Sequence, residues 1–295
     1  MPSVVPRKEG QEMQATLKKI VDSALSENDA TPREDEYIGE DEYIGEDGLL
    51  HCIKCGEPHQ TIINLWDKEH IVRCVCSCHF EEQHRREQRN LQEMAERRRR
   101  ECFHGTNMAS WNFENDDRSR ADLSGAMEKY AANFKEYLHN GRGLLLYGPV
   151  GTGKTYLAAC IANRLIDTGY TAYMTNFSQA VDNLQKSIFE KQDFIGQLCS
   201  YDLLIIDDLG TERKTEYMQE HVFNIIDARY RSGKPLIVTS NLTQEELNQP
   251  ATLGSQRIYD KVLEKCLPIK VDGTSRRRKA ASTNWGEMRQ QLGIK

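Results

Sequence analysis

Gly148-Pro149-Val150-Gly151-Thr152-Gly153-Lys154-Thr155 decides how this 295-residue chain is read. Just before it runs Leu144-Leu145-Leu146-Tyr147, an apolar stretch of the length of a buried strand. Just after it, Tyr156-Leu157-Ala158-Ala159-Cys160-Ile161-Ala162 is rich in helix formers and meets no breaker before Gly169. Strand, glycine loop and helix form the context in which G-x-x-x-x-G-K-[ST] reads as a phosphate-binding loop. Gly148, Gly151 and Gly153 let the backbone curl until successive N–H groups face one point, with no side chain in the way. The following helix adds its partial positive charge there. Lys154 is placed to reach the β- and γ-phosphates of a nucleotide, and the Thr155 hydroxyl to ligate Mg²⁺.

A second landmark lies about fifty residues further on, in Asp202-Leu203-Leu204-Ile205-Ile206-Asp207-Asp208. Four aliphatics ending in acid read as a buried parallel strand whose C-terminal edge delivers a carboxylate to the nucleotide crevice. Asp207 is expected to hold Mg²⁺, directly or through water, and Asp208 to orient the attacking water. Thr171–Met174 reads as another strand and Phe177–Ile188 as a helix, while Lys129–His139 reads as one helix before the loop. Tyr217–Arg231 is an amphipathic helix leading into Pro235-Leu236-Ile237-Val238-Thr239-Ser240-Asn241, a strand that can set the Asn241 amide near the γ-phosphate. The plainer alternative is that Asn241 caps the turn beginning at Thr243. Leu253–Cys266 is helical and Leu267–Val271 a last short strand. Alternation of this kind makes an α/β fold, a parallel sheet with helices on both faces.

The N-terminal third reads differently. Residues 1–50 hold thirteen acidic and five basic side chains, so the net charge of -6 hides an acidic leader and a mildly basic remainder. Met13, Leu17, Ile20, Val21 and Ala24 recur at helical spacing over 11–25. Then comes a direct repeat, Asp35–Glu40 followed by Asp41–Glu46, which reads as a local duplication inside a solvated linker. Five of the nine cysteines fall between Cys52 and Cys78. In a chain without a secretory leader or an apolar span, expected to be cytoplasmic, that density points to metal rather than disulfides. Cys52-Ile53-Lys54-Cys55-Gly56 is a zinc-knuckle turn, and Cys74 with Cys76 is the expected second pair, with Cys78 or a nearby His in reserve. Thr61–Trp66 and Glu69–Arg73 read as the hairpin of a zinc ribbon. From His79 to Glu101 runs a charged helix ending in Arg97-Arg98-Arg99-Arg100, either a solvated face or a phosphate-contacting patch. Trp111 and Phe113 follow in a polar stretch, where they pack either beside an adenine or into the core. The boundaries are 1–48 for the leader, 49–80 for the zinc-ribbon-like module, 81–104 for a helical linker and 105–295 for the nucleotide domain.

From about Phe103 to Ala281 the chain resembles the bacterial helicase-loader ATPases of the AAA+ class, the DnaC/IstB-like group. Gly148–Thr155 looks like Walker A, Leu203–Asp208 like Walker B, and Thr239-Ser240-Asn241 like sensor 1. The resemblance implies that Arg257, in Gln256-Arg257-Ile258-Tyr259-Asp260, is an arginine finger, and that Arg277 in Gly273-Thr274-Ser275-Arg276-Arg277 is the sensor 2 arginine. Arg276 stands where the family usually has an aromatic, so the two arginines can exchange roles. Asp208 stands where many AAA+ proteins have glutamate. Few residues follow Val271, which implies a reduced lid. A loader would bind ATP with Mg²⁺, carry zinc, assemble with itself so that each finger serves a neighbour, and act on a hexameric replicative helicase and single-stranded DNA. Two further readings compete with it. One is an IstB-like transposition helper, and the other a zinc adaptor that holds ATP without hydrolysing it.

Overall fold

In the computed structural model, which describes residues 39–65, 68–185, 191–210 and 215–294, the chain divides into two units, 1–91 and 92–295. The amphipathic helix expected over 11–25 lies outside the described residues. In the first unit β1 (Glu42–Ile44) pairs antiparallel with β2 (Leu50–Cys52), and β3 (Gln60–Leu65) with β4 (Lys68–Arg73). The second hairpin is the one expected from the alternating pattern. The first corrects the expected boundary at 48, because β1 is made from the second copy of the duplicated hexapeptide. Gly48, at φ 75°, closes a turn in which the Gly45 N–H bonds the Leu49 carbonyl at 2.9 Å. That turn folds Tyr43 and Ile44, both good strand formers, back onto β2 in spite of the acidic neighbours.

Helix α1 (Ser77–Phe103) spans the expected linker, and the division at residues 91 and 92 falls inside it. In the second unit Ala95, Cys102 and Phe103 of α1 pack into the main core. The nucleotide domain therefore begins about four turns earlier than residue 105. A 3₁₀ turn (Asn107–Ser110) follows, then α2 (Ala121–Ala132) and α3 (Phe134–Asn140), which replace the single helix expected over Lys129–His139. The break is at Asn133, a residue that competes poorly for the helix interior.

The sheet is parallel and five-stranded: β5 (Gly143–Tyr147), β6 (Ala172–Asn176), β7 (Leu203–Leu209), β8 (Leu236–Ser240) and β9 (Cys266–Lys270), in the order β6-β7-β8-β5-β9. The strand that carries the glycine loop thus lies inside the sheet, with neighbours on both sides. Alternate residues face opposite layers. Leu144, Leu146, Leu203 and Ile205 join α2 and α4 (Lys154–Asp167) in one core. Leu145, Tyr147, Leu204 and Ile206 join α5 (Phe177–Gln185), α6 (Lys191–Ser200), α7 (Glu216–Ser232) and, beyond the short α8 (Gln244–Asn248), α9 (Leu253–Lys265) in the other. A last helix, α10, covers Arg276–Leu292.

Two of the four consecutive arginines clamp α1 to the end of α4. Arg98 donates to the Gly169 carbonyl at 2.7 Å, and Arg99 donates to Asn163 Oδ1 at 3.2 Å and pairs with Asp167. Cations are favoured at a helix C-terminus, where carbonyls stand unpaired. Arg97 and Arg100 face solvent.

At the opposite edge of the sheet from the glycine loop, Arg229 of α7 is 1% exposed. Its guanidinium donates to the carbonyls of Tyr201 (2.8 Å), Asp202 (2.9 Å) and Pro235 (2.6 Å). Burial pulls its pKa down to about 10, still charged at neutral pH. Arg229→Met should orphan several buried carbonyls together and cost about 3 kcal/mol, because each such group loses its desolvation compensation. Urea unfolding followed by tryptophan fluorescence checks this. A loss under about 1 kcal/mol would show that those carbonyls find other partners.

Candidate active site and metal centre

The glycine loop leaves the C-terminal edge of β5 and is held from both flanks. The Gly148 N–H bonds the Ser240 carbonyl at 3.2 Å, and the Val271 N–H bonds the Tyr147 carbonyl at 2.8 Å. Gly148 has φ 139°, and a Cβ there would meet the Val271 oxygen at 2.5 Å. Gly151 has φ 85°, and a Cβ would run into Ser275 Oγ, while its carbonyl accepts from the Arg276 N–H at 2.9 Å. Glycine is required at both positions by backbone conformation and by close approach of the segment 271–276. Thr152 Oγ1 donates to the Pro149 carbonyl at 3.0 Å and tightens the loop.

Lys154, 5% exposed, donates from Nζ to the carbonyls of Gly148 and Pro149 and to Asn241 Oδ1, each at 2.8 Å. Burial holds its pKa below the ordinary lysine value, and Asp208 and Asp207 act against the shift. The Thr155 hydroxyl donates to Asp207 at 3.0 Å. Burial pushes the Asp207 pKa up, a shift that the Thr239 and Thr155 hydrogen bonds oppose. A buried carboxylate that ionises reluctantly, facing a hydroxyl across the mouth of the loop, fits a small divalent cation with oxygen ligands.

Asp208 is one of three non-glycine residues with positive φ among the described residues, at 59°. Between Ile206 and Leu209 the β7–β8 register slips, so the two acids sit in a bulge that re-aims their side chains. The end of strand β8 and the residue after it hold that bulge with three consecutive side chains. Thr239 Oγ1 donates to Asp207 Oδ1 at 2.5 Å and accepts from the Asp208 N–H at 2.9 Å. Ser240 Oγ donates to the Leu209 carbonyl at 2.7 Å, and Asn241 Nδ2 donates to Asp208 Oδ1 at 3.1 Å. Thr239 has no accessible surface. The sequence places it in the stretch that looks like sensor 1, and strand pairing sets its hydroxyl between the two acids.

A cavity of about 420 Å³ opens over these groups, lined by Val150, Gly151, Gly153, Lys154, Thr155, Asp208, Asn241, Arg276 and Arg277 on one side. On the other side stand Trp111 and Tyr156, with ring centroids 5.4 Å apart. Trp111 also packs against the core, which is the second of its two expected roles, and Phe113 is buried in that core. Asn163 fixes its backbone, donating to the Trp111 carbonyl at 2.8 Å. Arg276 and Arg277 both line the cavity, and Arg276 is tied there to Asp116 at 2.9 Å and to Asp117 at 3.2 Å. Arg257 is exposed on α9 and is not among the residues that line the cavity of its own chain.

In the first unit the sulfurs of Cys52, Cys55, Cys76 and Cys78 lie within 4.8 Å of one another. Cys78 Sγ is 3.5 Å from that of Cys52 and 3.4 Å from that of Cys76, close to the ~3.8 Å edge of a tetrahedron with zinc–sulfur bonds of about 2.3 Å. The structure brings Cys76 and Cys78 to the knuckle, where the sequence suggested Cys74 with Cys76. Cys74 ends the hairpin, with its N–H on the His59 carbonyl and its thiol donating to the Pro58 carbonyl at 3.2 Å, whereas Cys78 lies in the first turn of α1 and turns inward. Hydrogen bonds from the knuckle backbone, that of Cys55 first, pull the Cys52 thiol down to about 6. The donor set fits Zn²⁺, and so does the interior around it. The buried side chains among the described residues of this unit are Leu50, Cys52, His59, Gln60 and Cys76. Sulfur, not hydrocarbon, occupies the middle of the module, which is the position of domains too small to stand without a staple.

The profile of the IstB-like ATP binding protein family matches residues 66–284. The chain is 28% identical over 167 residues to the replicative helicase loader DnaI of Bacillus subtilis strain 168, covering 52% of this chain and 54% of that protein. It is 32% identical over 149 residues to a putative insertion sequence ATP-binding protein of Sinorhizobium fredii strain NBRC 101917 / NGR234, covering 49% of this chain and 50% of the other. The chain thus spans about half the length of these curated relatives. Among solved structures, the DnaC helicase loader superposes over 57% of this chain and 100% of its own, with TM-score 0.50 and 23% identity. That likeness speaks for the fold, a parallel sheet with flanking helices.

Proposed function

Since the chain belongs to the IstB-like ATP-binding protein family, whose match covers residues 66–284, we propose that it is an ATPase that loads a hexameric replicative helicase onto single-stranded DNA. The observation that carries the ATPase is the joined network Lys154–Asn241–Asp208 and Thr155–Asp207–Thr239 at the mouth of the loop. Lys154 exchanges its carbonyl partners for the β- and γ-phosphate oxygens. Thr155 and Asp207 would hold Mg²⁺, which when bound would supply positive charge against the transferred phosphoryl group. Asp208, aimed by the bulge and by the Asn241 amide, orients the attacking water. Trp111 and Tyr156 offer an aromatic wall for the base, and Arg277 reaches the phosphates from α10. Arg257 acts on a nucleotide bound by a neighbouring subunit, so turnover needs self-assembly. Single-stranded DNA is held through its backbone without sequence choice. The likeness to the insertion sequence ATP-binding protein keeps a second reading, a transposition helper on duplex DNA, and co-purification with a helicase or a transposase separates the two. Zinc on Cys52, Cys55, Cys76 and Cys78 folds the N-terminal module, which serves as the docking piece for the partner.

Asp208→Asn and Thr239→Val should bind ATP within about threefold of the parent and lose at least about tenfold in turnover, the worth of one hydrogen bond to a charged group. Thr239→Ser should recover most of the loss, and Lys154→Ala should lose binding itself. Equal loss of nucleotide affinity in all four variants would defeat this division of labour.

Arg257→Ala should bind ATP normally and hydrolyse it at least about 100-fold more slowly, as when a finger is removed. Mixed with Lys154→Ala it should regain activity, because an intact finger then meets an intact loop at some junctions. Absence of rescue, with specific activity independent of protein concentration, would place Arg257 outside the reaction.

Elemental analysis should find about one zinc per chain. Cys78→Ser should lose it and Cys74→Ser should keep it. The reverse pattern would restore the pair that the sequence suggested.

A further inference from the structure

The duplicated hexapeptide and the buried His59 have no part in the nucleotide site, and they meet behind the cysteine cluster. Glu42, in the second copy of the repeat, accepts from His59 Nδ1–H at 2.8 Å through Oε1. The other ring nitrogen, Nε2, lies 3.2 Å from Cys76 Sγ. His59 is 5% exposed, and the Glu42 side chain is 10% exposed. Each is fixed by further bonds. Glu42 Oε2 accepts from the Gly39 N–H at 3.4 Å, and Arg73 pairs with Oε1 at 3.3 Å. The His59 N–H bonds the Leu50 carbonyl at 2.6 Å, and its own carbonyl accepts from the Cys74 N–H at 2.7 Å. The ring is further confined by stacking on His79, centroid to centroid 5.1 Å.

Carboxylate, imidazole and sulfur therefore stand in one line, and none of the three can turn away without breaking a buried bond. We infer that Glu42 and His59 form a relay that holds the Cys76 sulfur at its place in the cluster and governs how tightly the module keeps its metal. The inference rests on the zinc reading above and adds two residues to it. Carboxylate-oriented imidazoles commonly sit behind metal ligands, and losing such a partner costs 10- to 100-fold in metal affinity. His59 acts through Cys76 here and is not itself a ligand. Four sulfurs already complete a tetrahedral set, Nδ1 is taken by the carboxylate, and Nε2 points at sulfur. This also gives β1 a purpose, since its register sets Glu42 opposite Cys52 and so brings the carboxylate to the cluster. His59 and Glu42 are positioning residues.

The test uses the full chain loaded with zinc and challenged with EDTA, and in parallel the chain loaded with cobalt(II) and read by visible absorption. His59→Gln should weaken zinc retention about 10- to 100-fold while the cobalt spectrum stays that of four-sulfur coordination. Glu42→Gln should shift retention in the same direction by less, and the double variant should be no worse than His59→Gln alone, because the carboxylate works only through the ring. The cobalt spectrum at saturating metal reports that the module of each variant is folded, and ATP binding reports the same of the second unit. Unchanged zinc retention in His59→Gln, or an additive double variant, would overturn the relay. So would a cobalt spectrum that loses a nitrogen ligand on substitution, which would make His59 a direct ligand. A parent chain that holds no metal would instead remove the zinc reading itself, before any variant is compared.

Discussion

One buried hydroxyl, that of Thr239, governs the arrangement of the nucleotide site. It bonds the carboxylate of Asp207 and the backbone N–H of Asp208 at once, across the seam between β8 and β7. A left-handed aspartate is costly, and a strand bulge leaves backbone groups unpaired. The side chains of Thr239, Ser240 and Asn241 compensate both, Thr239 with two bonds to the slipped segment 207–209 and the other two with one each. The acids are held in a conformation that an isolated strand would not keep, which is the usual condition of groups set up for chemistry.

The same logic places the glycine loop. Because β5 lies between β8 and β9, the loop leaves the sheet where one neighbour supplies Ser240 and Asn241 and the other leads into Val271 and Ser275. A nucleotide bound there touches elements from both ends of the domain. Arg276, whose N–H bonds the Gly151 carbonyl while its guanidinium pairs with Asp116, ties α10 to the loop and to the segment carrying Trp111.

In the first unit the constraint is of another kind. Two short hairpins bury too little hydrocarbon to define a core, so polar and sulfur atoms converge where apolar side chains would stand in a larger domain. The order of that interior comes from directional bonds: Ser77 N–H to Glu57 at 2.6 Å, Leu50 N–H to Gln60 at 3.0 Å, and His59 between Glu42 and Cys76. Such a module depends on every partner being present, whereas the sheet of the second unit can lose a contact and keep its shape.

Local chemistry determined much of this protein. Glycines that permit positive φ, an aliphatic run that can only be a buried strand, and acids at its end are readable because each rule acts within a few residues. Hence the loop, the strands and the helices around them fall close to where their patterns put them. Tertiary structure alone decided what depends on distant partners. Cys74 and Cys78 are equivalent by spacing, and the difference is that one closes a hairpin while the other rides the first turn of α1. Arg98 and Arg99 read as a solvated or phosphate-seeking run until the end of α4 is found beside them. Glu42 read as linker because acidic composition masks a strand whose partner comes after a glycine turn. Thr239 was legible only as part of a stretch like sensor 1, because the groups its hydroxyl meets are fixed when the neighbouring strand sets two aspartates against it.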